Sequence, residues 1–163
     1  MKGNAWVFGD DISTDHIAPG RLFHLRSDLP ELAKHVLEDA DPEFASKVQP
    51  GDFVVGGRNF GLGSSREHAP TIIKLAGVGA VLAGSFARIF YRNAINVGLP
   101  VVQVDTSGIE TGDKLEVDLG TGTVRNLTRG TELHFDKLPP VMTSILRAGG
   151  LVPYVRKHGD LTL

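Results

Sequence analysis

The feature that most constrains the fold is a series of short apolar runs, the first three of which end directly at a glycine. The runs lie at 5–8, 53–55, 78–83 and 99–104. Short apolar runs of this kind, bounded by turn residues, are typical of buried strands. Longer segments with helical spacing separate most of them. This alternation predicts a mixed α/β domain whose ligands would bind beyond the ends of the early strands.

Helical spacing occupies six segments: 29–38, 41–47, 71–76, 86–97, 142–148 and 152–157. The fourth places Phe86, Ile89, Phe90 and Asn93 at the helical spacing i, i+3, i+4 and i+7. Gly98 predicts the end of that helix. The last third of the chain instead alternates apolar and polar residues in three stretches with glycine turns between them: 114–119, 123–127 and 131–135. This second pattern predicts a β-meander.

The composition is that of one globular domain over residues 1–163, with 41% hydrophobic and 22% charged residues. A net charge of −2 argues against a nucleic-acid partner. No apolar run reaches the roughly 20 residues of a membrane span. The N-terminus has no signal-peptide core, so we expect a cytoplasmic protein. The chain has no cysteine, which excludes disulfides, thiolate metal sites and cysteine nucleophiles.

The densest chemistry lies in GLGSSREHAP, residues 61–70. A P-loop would need lysine after Gly63, where Ser64 stands, and the dinucleotide fingerprint would need glycine in place of Arg66. The nucleophile elbow would need glycine two residues after a serine. The segment therefore matches none of these three motifs.

Two interpretations of this segment remain open. Ser64 and Glu67 have the spacing of a capping box, but a helix capped by Ser64 would place Pro70 beyond the first turn, at a cost of about 3 kcal/mol. A helix that begins near Glu67 instead places Pro70 in its first turn. The preceding amides, with Arg66, would then be free to bind a carboxylate or another oxyanion.

Three motifs in order resemble the swivelling domain of the aconitase superfamily: DDISTDHIAPGR, GSSREHA and SFARIFYRNAINVGLP. Over essentially its whole length, the chain resembles the free-standing small subunits of 3-isopropylmalate dehydratase and homoaconitase. The resemblance implies a three-layer β/β/α domain and a heteromeric hydro-lyase. The large subunit would hold the [4Fe–4S] cluster and this chain no metal, in keeping with its lack of cysteine.

The implied reaction removes water from a 2-hydroxy diacid and returns it at the neighbouring carbon. For 2-isopropylmalate this is the isomerisation to 3-isopropylmalate in leucine biosynthesis, and a Lewis-acid iron would assist the poor leaving group. The resemblance makes Ser64 the base, as an alkoxide stabilised by the amides of Ser65 and Arg66. The Arg66 side chain would hold a substrate carboxylate. Gly61 and Gly63 would allow close approach of the backbone.

Other residues of these motifs have two possible roles. The resemblance makes Asp15 an active-site carboxylate, whereas the simpler alternative is a polar turn. His16 is a candidate substrate ligand, and His68 is expected to be structural. Arg88 and Arg92 either face solvent or pair with Glu67 or with the partner chain.

Substrate choice is predicted to depend on RLFHLRSDLPEL, which departs from the family's usual tyrosine–leucine pattern and is one residue longer. Leu22, Phe23 and Leu25 suit an isopropyl group, whereas Arg21 or Arg26 would suit an additional carboxylate. Because apolar residues dominate, isopropylmalate is the favoured substrate, with homoaconitate and 2,3-dimethylmalate as alternatives. A non-catalytic anion-binding module is the alternative from another class.

Overall fold

The computed structural model describes residues 1–63 and 68–159. The strands are β1 Lys2–Gly9, β2 Phe53–Gly56, β3 Ala80–Ala83, β4 Val101–Gln103, β5 Lys114–Asp118, β6 Thr123–Asn126 and β7 Thr131–His134. The helices are α1 Thr14–Ile17, α2 Leu29–Ala33, α3 Phe44–Lys47, α4 His68–Leu75, α5 Arg88–Val97, α6 Pro140–Ala148 and α7 Leu151–His158, with a 3-10 helix at Gly20–Leu25. None of the helices in the described ranges is long and apolar enough to cross a membrane.

The seven strands form one sheet in the order β4-β3-β2-β1-β5-β6-β7. Strands β1 to β4 are parallel, whereas β5, β6 and β7 are antiparallel to their neighbours. β1 belongs to both halves, because Lys2 pairs with Glu116 of β5 and Ala5 pairs with Phe53 of β2. The parallel half therefore has all its carboxyl ends at one edge.

Two hydrophobic cores separate three layers. In β2, the buried side chains alternate between them: Val54 packs in the core under the helices, while Phe53 and Val55 pack in a second core with the meander. Leu115 and Val124 supply the meander side of this second core. Helices, parallel strands and meander thus form the three-layer β/β/α fold implied by the resemblance, and this prediction is confirmed.

The predicted strands and the meander are confirmed, whereas the helices predicted over 29–38 and 86–97 differ most from their predictions, and that predicted over 41–47 begins only at Phe44. The helix predicted over 29–38 ends at Ala33, and turns follow up to Ala40. Within those turns Leu37 adopts a left-handed conformation, with φ of 56°, and its N–H donates to the carbonyl of Ile17 at 2.9 Å. A long-range hydrogen bond therefore replaces helical pairing that the local pattern favours.

The predicted buried face of α5 is wrong. Phe86 precedes the helix, because the N-cap residue Ala87 is extended, with φ of −63° and ψ of 137°. Ile89 is 47% exposed. The face that packs inward instead consists of Phe90, Ala94 and Ile95. Gly98 ends the helix as predicted.

Candidate active site

The loop after β2, residues 57–63, is tied to the loop after β1 at the carboxyl edge of the parallel strands. The N–H of Asp11 donates to the carbonyl of Arg58 at 2.8 Å. The N–H of Gly61 donates to the carbonyl of Ile12 at 2.7 Å. The Asp10 carboxylate adds a side-chain contact, since it accepts the Arg58 N–H at 2.7 Å and lies 3.5 Å from Arg58 Nη2. Backbone bonds and this carboxylate together fix the path of the loop.

The same loop is tied on its other side to the segment before α5. The N–H of Phe60 donates to the carbonyl of Ser85 at 3.0 Å, and the N–H of Ala87 donates to the carbonyl of Phe60 at 2.9 Å. The fully buried Phe60 ring packs edge-on against Phe86 and Phe90, with centroids 6.1 and 5.3 Å apart. Phe60 therefore anchors the loop in the helical core.

Gly61 is required at its position for two reasons. Its φ is +85°, in the left-handed region that favours glycine. A Cβ built on Gly61 would also overlap the ring of Phe90. The close approach of backbone predicted at Gly61 is thus an approach to the α5 core within this chain.

Leu62 and Gly63 bring the loop to the first turn of α1. The N–H of Thr14 donates to the carbonyl of Leu62 at 2.8 Å, and a Cβ on Gly63 would lie 3.1 Å from Thr14 Oγ1. The next four residues lie outside the described part of the chain: Ser64, Ser65, Arg66 and Glu67. The capping and anion-site interpretations both depend on these residues, and both stay predictions.

Asp15 is exposed in the first turn of α1, directly after Thr14. A Cβ on Gly20 would lie 3.7 Å from Asp15 Oδ1, so the carboxylate is directed toward the start of the 3-10 helix. Because Thr14 bonds to Leu62, Asp15 lies close to the end of the loop 57–63, and Ser64 is the next residue in the sequence. Its catalytic role stays a prediction.

His16 has a structural role that sequence reasoning missed. Ser13 Oγ accepts the N–H of His16 at 3.1 Å, and the N–H of Ser13 donates to His16 Nδ1 at 2.9 Å. This is a capping box with histidine in place of glutamate or glutamine. Because a backbone N–H can only donate, Nδ1 is the acceptor and Nε2 is the nitrogen left for a substrate. The predicted substrate contact of His16 would therefore use Nε2.

Arg21, at the start of the 3-10 helix, is engaged within the chain. Its Nη2 lies 2.9 Å from Asp39 Oδ1 and 3.3 Å from Glu38 Oε1. The hydrogen bond to Asp39 raises the pKa of the Arg21 guanidinium above its ordinary value. Arg21 thus ties the 3-10 helix to the turns after α2, and the geometry gives less support to its predicted role as a substrate ligand.

The apolar residues of the 3-10 helix have different surroundings. Leu22 and Leu25 pack partly buried against the helical core, whereas Phe23 is 48% exposed. The Arg26 guanidinium lies 4.3 Å from the Phe23 ring centroid, and Arg26 Nη1 donates to the Phe23 carbonyl at 3.2 Å. Of the predicted substrate-selecting side chains, Phe23 is therefore the apolar one presented outward, with Arg26 stacked on it.

The side chains do not fit an iron–sulfur cluster. The sequence has no cysteine, and in residues 1–63 and 68–159 no group of three His, Asp or Glu side chains could hold a metal ion. Sequence reasoning missed Thr14 and Phe60 as supports of the loop. Their partners lie far away in the chain, so the only local signal was their position beside the motif residues Asp15 and Gly61.

Comparisons with known proteins identify the same family from a segment of the chain and from its full length. Residues 27–106 match the family model of the aconitase C-terminal domain. The chain is 66% identical over 163 residues to 3-isopropylmalate dehydratase small subunit 2 of Archaeoglobus fulgidus, covering 100% of this chain and 99% of that protein. It is 53% identical over 160 residues to the isopropylmalate/citramalate isomerase small subunit of Methanocaldococcus jannaschii, covering 96% and 94%.

The fold agrees with a solved structure. The crystal structure of a 3-isopropylmalate dehydratase from Methanocaldococcus jannaschii is similar with a TM-score of 0.92 and 45% identity, covering 97% of this chain and 94% of that chain. Sequence and fold give the same answer: the chain belongs to the family of 3-isopropylmalate dehydratase small subunits, within the aconitase superfamily.

Proposed function

We propose that this chain is the small subunit of a heteromeric hydro-lyase that interconverts 2-isopropylmalate and 3-isopropylmalate in leucine biosynthesis. The observation that carries the proposal is the 66% identity to a small subunit of that name over the full length of both chains. The chain would be inactive alone and would complete the active site of a large subunit.

The iron–sulfur cluster belongs to the large subunit in this proposal, because this chain offers no fitting set of ligands. The large subunit would thereby supply the Lewis acidity that departure of hydroxide requires. This chain would supply the groups that bind and orient the diacid and that move the proton on the neighbouring carbon.

Ser64 is the proposed base. As an alkoxide it would take the proton from the carbon next to a substrate carboxylate while hydroxide leaves the neighbouring carbon. On rehydration, hydroxide would add to the carbon that lost the proton, and the Ser64 hydroxyl would give a proton to the carbon that lost hydroxide. A serine hydroxyl does not ionise readily near neutral pH, so it needs the backbone amides of Ser65 and Arg66 as preorganised donors. The bonds that pin 57–63 support this role, since they fix the backbone up to Gly63.

Substrate carboxylates would be held by the Arg66 guanidinium, with Asp15 orienting this arginine or the substrate. Support for Asp15 comes from its position in α1, next to the Thr14 amide that bonds to Leu62. His16 would contribute Nε2 at the margin of the same site, because its Nδ1 is used in the cap.

The substrate side chain is proposed to be apolar. Phe23 is the exposed apolar residue of the 3-10 helix. Both arginines of this segment have partners in the chain, because Arg21 pairs with Asp39 and Arg26 stacks on Phe23. An additional carboxylate, as in homoaconitate, would have to compete with Asp39 for Arg21, and at Arg26 it would have to approach beside the exposed Phe23 ring. The geometry therefore favours isopropylmalate.

Reconstitution with a cluster-loaded large subunit tests the proposal. Neither chain alone should turn over 2-isopropylmalate, while the mixture should interconvert it with 3-isopropylmalate faster than it isomerises citramalate or hydrates homoaconitate. Citramalate belongs in the panel because one relative is named an isopropylmalate/citramalate isomerase subunit. Binding of a diacid by this chain without any effect on turnover by the large subunit would instead indicate a non-catalytic anion-binding module.

A further inference from the structure

A hydrophobic groove of about 530 Å³ runs between α5 and α6, outside the proposed active site. Its floor is formed by the buried side chains of Ile95 and Ile145. Phe86, Val141 and Met142 form half-buried walls. The groove is open along its rim and large enough to receive apolar side chains of another protein, to which a flexible methionine adapts well.

One wall of the groove carries two cations. Arg88 and Arg92 lie one helical turn apart on α5, and both are exposed. Neither forms an ion pair with any residue in the described ranges, whereas Arg21 and Arg129 pair with carboxylates of this chain. An apolar groove with exposed guanidinium groups on its rim complements an apolar side chain flanked by Asp or Glu.

The groove begins where the active-site loop is anchored. Phe86, one of its walls, packs on Phe60 at a centroid distance of 6.1 Å. Ala87, the residue before Arg88, donates to the carbonyl of Phe60 at 2.9 Å. A protein that covers the end of the loop at Gly63 would therefore extend directly to the mouth of the groove.

We propose that this groove is a docking site for the large subunit, which inserts an apolar side chain between α5 and α6 and places acidic residues beside Arg88 and Arg92. This inference rests on the proposed function, because it assumes that a large subunit closes over the loop. It adds a contact surface that does not touch substrate and that determines the affinity between the subunits.

The test compares the dissociation constant of the complex for the unaltered chain and three variants. The double variant Arg88→Glu/Arg92→Glu reverses the rim charge, and Arg147→Glu is the matched control. Arg147 is exposed on α6 and has no ion pair in the described ranges, but it does not line the groove. Sedimentation or calorimetry gives the dissociation constants, and turnover is measured at increasing concentrations of large subunit.

The double variant should raise the dissociation constant at least about tenfold, since arginines are enriched among residues that dominate interface affinity. It should also weaken the dependence of affinity on salt, and excess large subunit should restore turnover. A third variant, Met142→Gln, should weaken association without changing the salt dependence. The control should bind and turn over as the unaltered chain does.

A dissociation constant within about twofold of the unaltered chain for both groove variants would overturn the docking site while leaving the proposed function intact, because an interface contact of this kind has to affect affinity. Dimers of this chain alone that the double variant abolishes would overturn it in favour of contacts between copies. Failure of the unaltered chain to associate with any large subunit would overturn the proposed function and the docking site together.

Discussion

The base of the meander and the active-site loop hold their residues in place by different means. At the base of the meander, the buried Asp113 carboxylate accepts from Asn126 Nδ2 at 2.8 Å, Arg129 Nε at 2.8 Å and the N–H of Glu110 at 2.9 Å. The loop 57–63 is instead held mainly through its backbone and by aromatic packing. Its N–H groups also donate to two side chains, from Arg58 to Asp10 Oδ1 at 2.7 Å and from Asn59 to Ser85 Oγ at 2.8 Å. The ion pair between Asp113 and Arg129 therefore stabilises the base of the meander.

At the carboxyl edge of the parallel strands, charged side chains have a different disposition. Asp15 is exposed there, and Arg88 and Arg92 carry no ion pair in the described ranges. Asp10 at this edge helps to hold the loop through Arg58, whereas Arg88 and Arg92 have no ion pair in the described ranges that could do so. The Asp113 cluster and the packing of the loop 57–63 can therefore be disrupted by separate substitutions, with different effects on stability and on turnover.

The largest effect is expected for Gly61→Ala. Left-handed backbone and overlap with Phe90 together should lower the free energy of unfolding by about 4 kcal/mol, and turnover of the assembled enzyme should fall as the loop shifts. Gly9→Ala is the matched control, because Gly9 has a similar φ of +86° but nothing within 4 Å of its Cβ position. Urea unfolding of both variants separates backbone strain from overlap, and equal losses would contradict the packing explanation.

Asp113→Ala should cost about 3 kcal/mol, because it leaves Asn126 and Arg129 without their buried acceptor. Turnover of the assembled enzyme should stay unchanged, since the meander forms a separate layer with its own core. Asp118→Ala, which removes an exposed carboxylate that caps a turn between β5 and β6, should have a much smaller effect. A loss of turnover in Asp113→Ala at a temperature where it is folded would contradict the separation of the two regions.

The same carboxylate predicts a pH dependence. Burial of Asp113 raises its pKa, but the hydrogen bonds from Arg129, the Glu110 amide and Asn126 outweigh this effect, and the pKa falls from 3.8 to about 2. The stabilisation is therefore complete above pH 3.8 and is lost as the pH falls through about 2, because the unfolded chain binds the proton first. Urea midpoints over this range should fall less steeply for Asp113→Asn than for the unaltered chain.

The smallest effect is expected at the cap of α1. His16→Ala should lower the free energy of unfolding by about 1 kcal/mol, whereas His16→Gln should retain the capping box. If His16 also contacts substrate through Nε2, then His16→Gln raises KM while leaving the melting temperature unchanged. Equal melting temperatures for the two variants would show that the cap contributes nothing to stability.

The sequence predicted the regular parts of the fold because their signals are local. The meander was placed correctly from alternation and glycine turns, and the strand beginning at Phe53 from a short apolar run. The early end of α2 was not predictable, because a hydrogen bond between Leu37 and Ile17 decides it. The predicted buried face of α5 was wrong for the same reason, because pairing with Phe60 holds Phe86 outside the helix.

The candidate site was predictable in composition but not in geometry. Asp15 and Gly63 were both singled out from motifs, and the structure brings them to the same end of α1. The partners of Arg21 and the stacking of Arg26 on Phe23 could not be predicted, because they depend on where the turns after α2 lie. Charge type is visible in a sequence, but the partner of each charge is a property of the fold.

The most direct test of the central proposal is the turnover of 2-isopropylmalate by complexes that contain Ser64→Ala or Ser65→Ala. Loss of the proposed base should lower kcat at least about a hundredfold with KM little changed. Ser65→Ala keeps the backbone amide that would stabilise the alkoxide, so it should lower kcat less than about tenfold. A Ser64→Ala complex with kcat within about tenfold of the unaltered enzyme would contradict a catalytic role for this hydroxyl, since a general base contributes more than that.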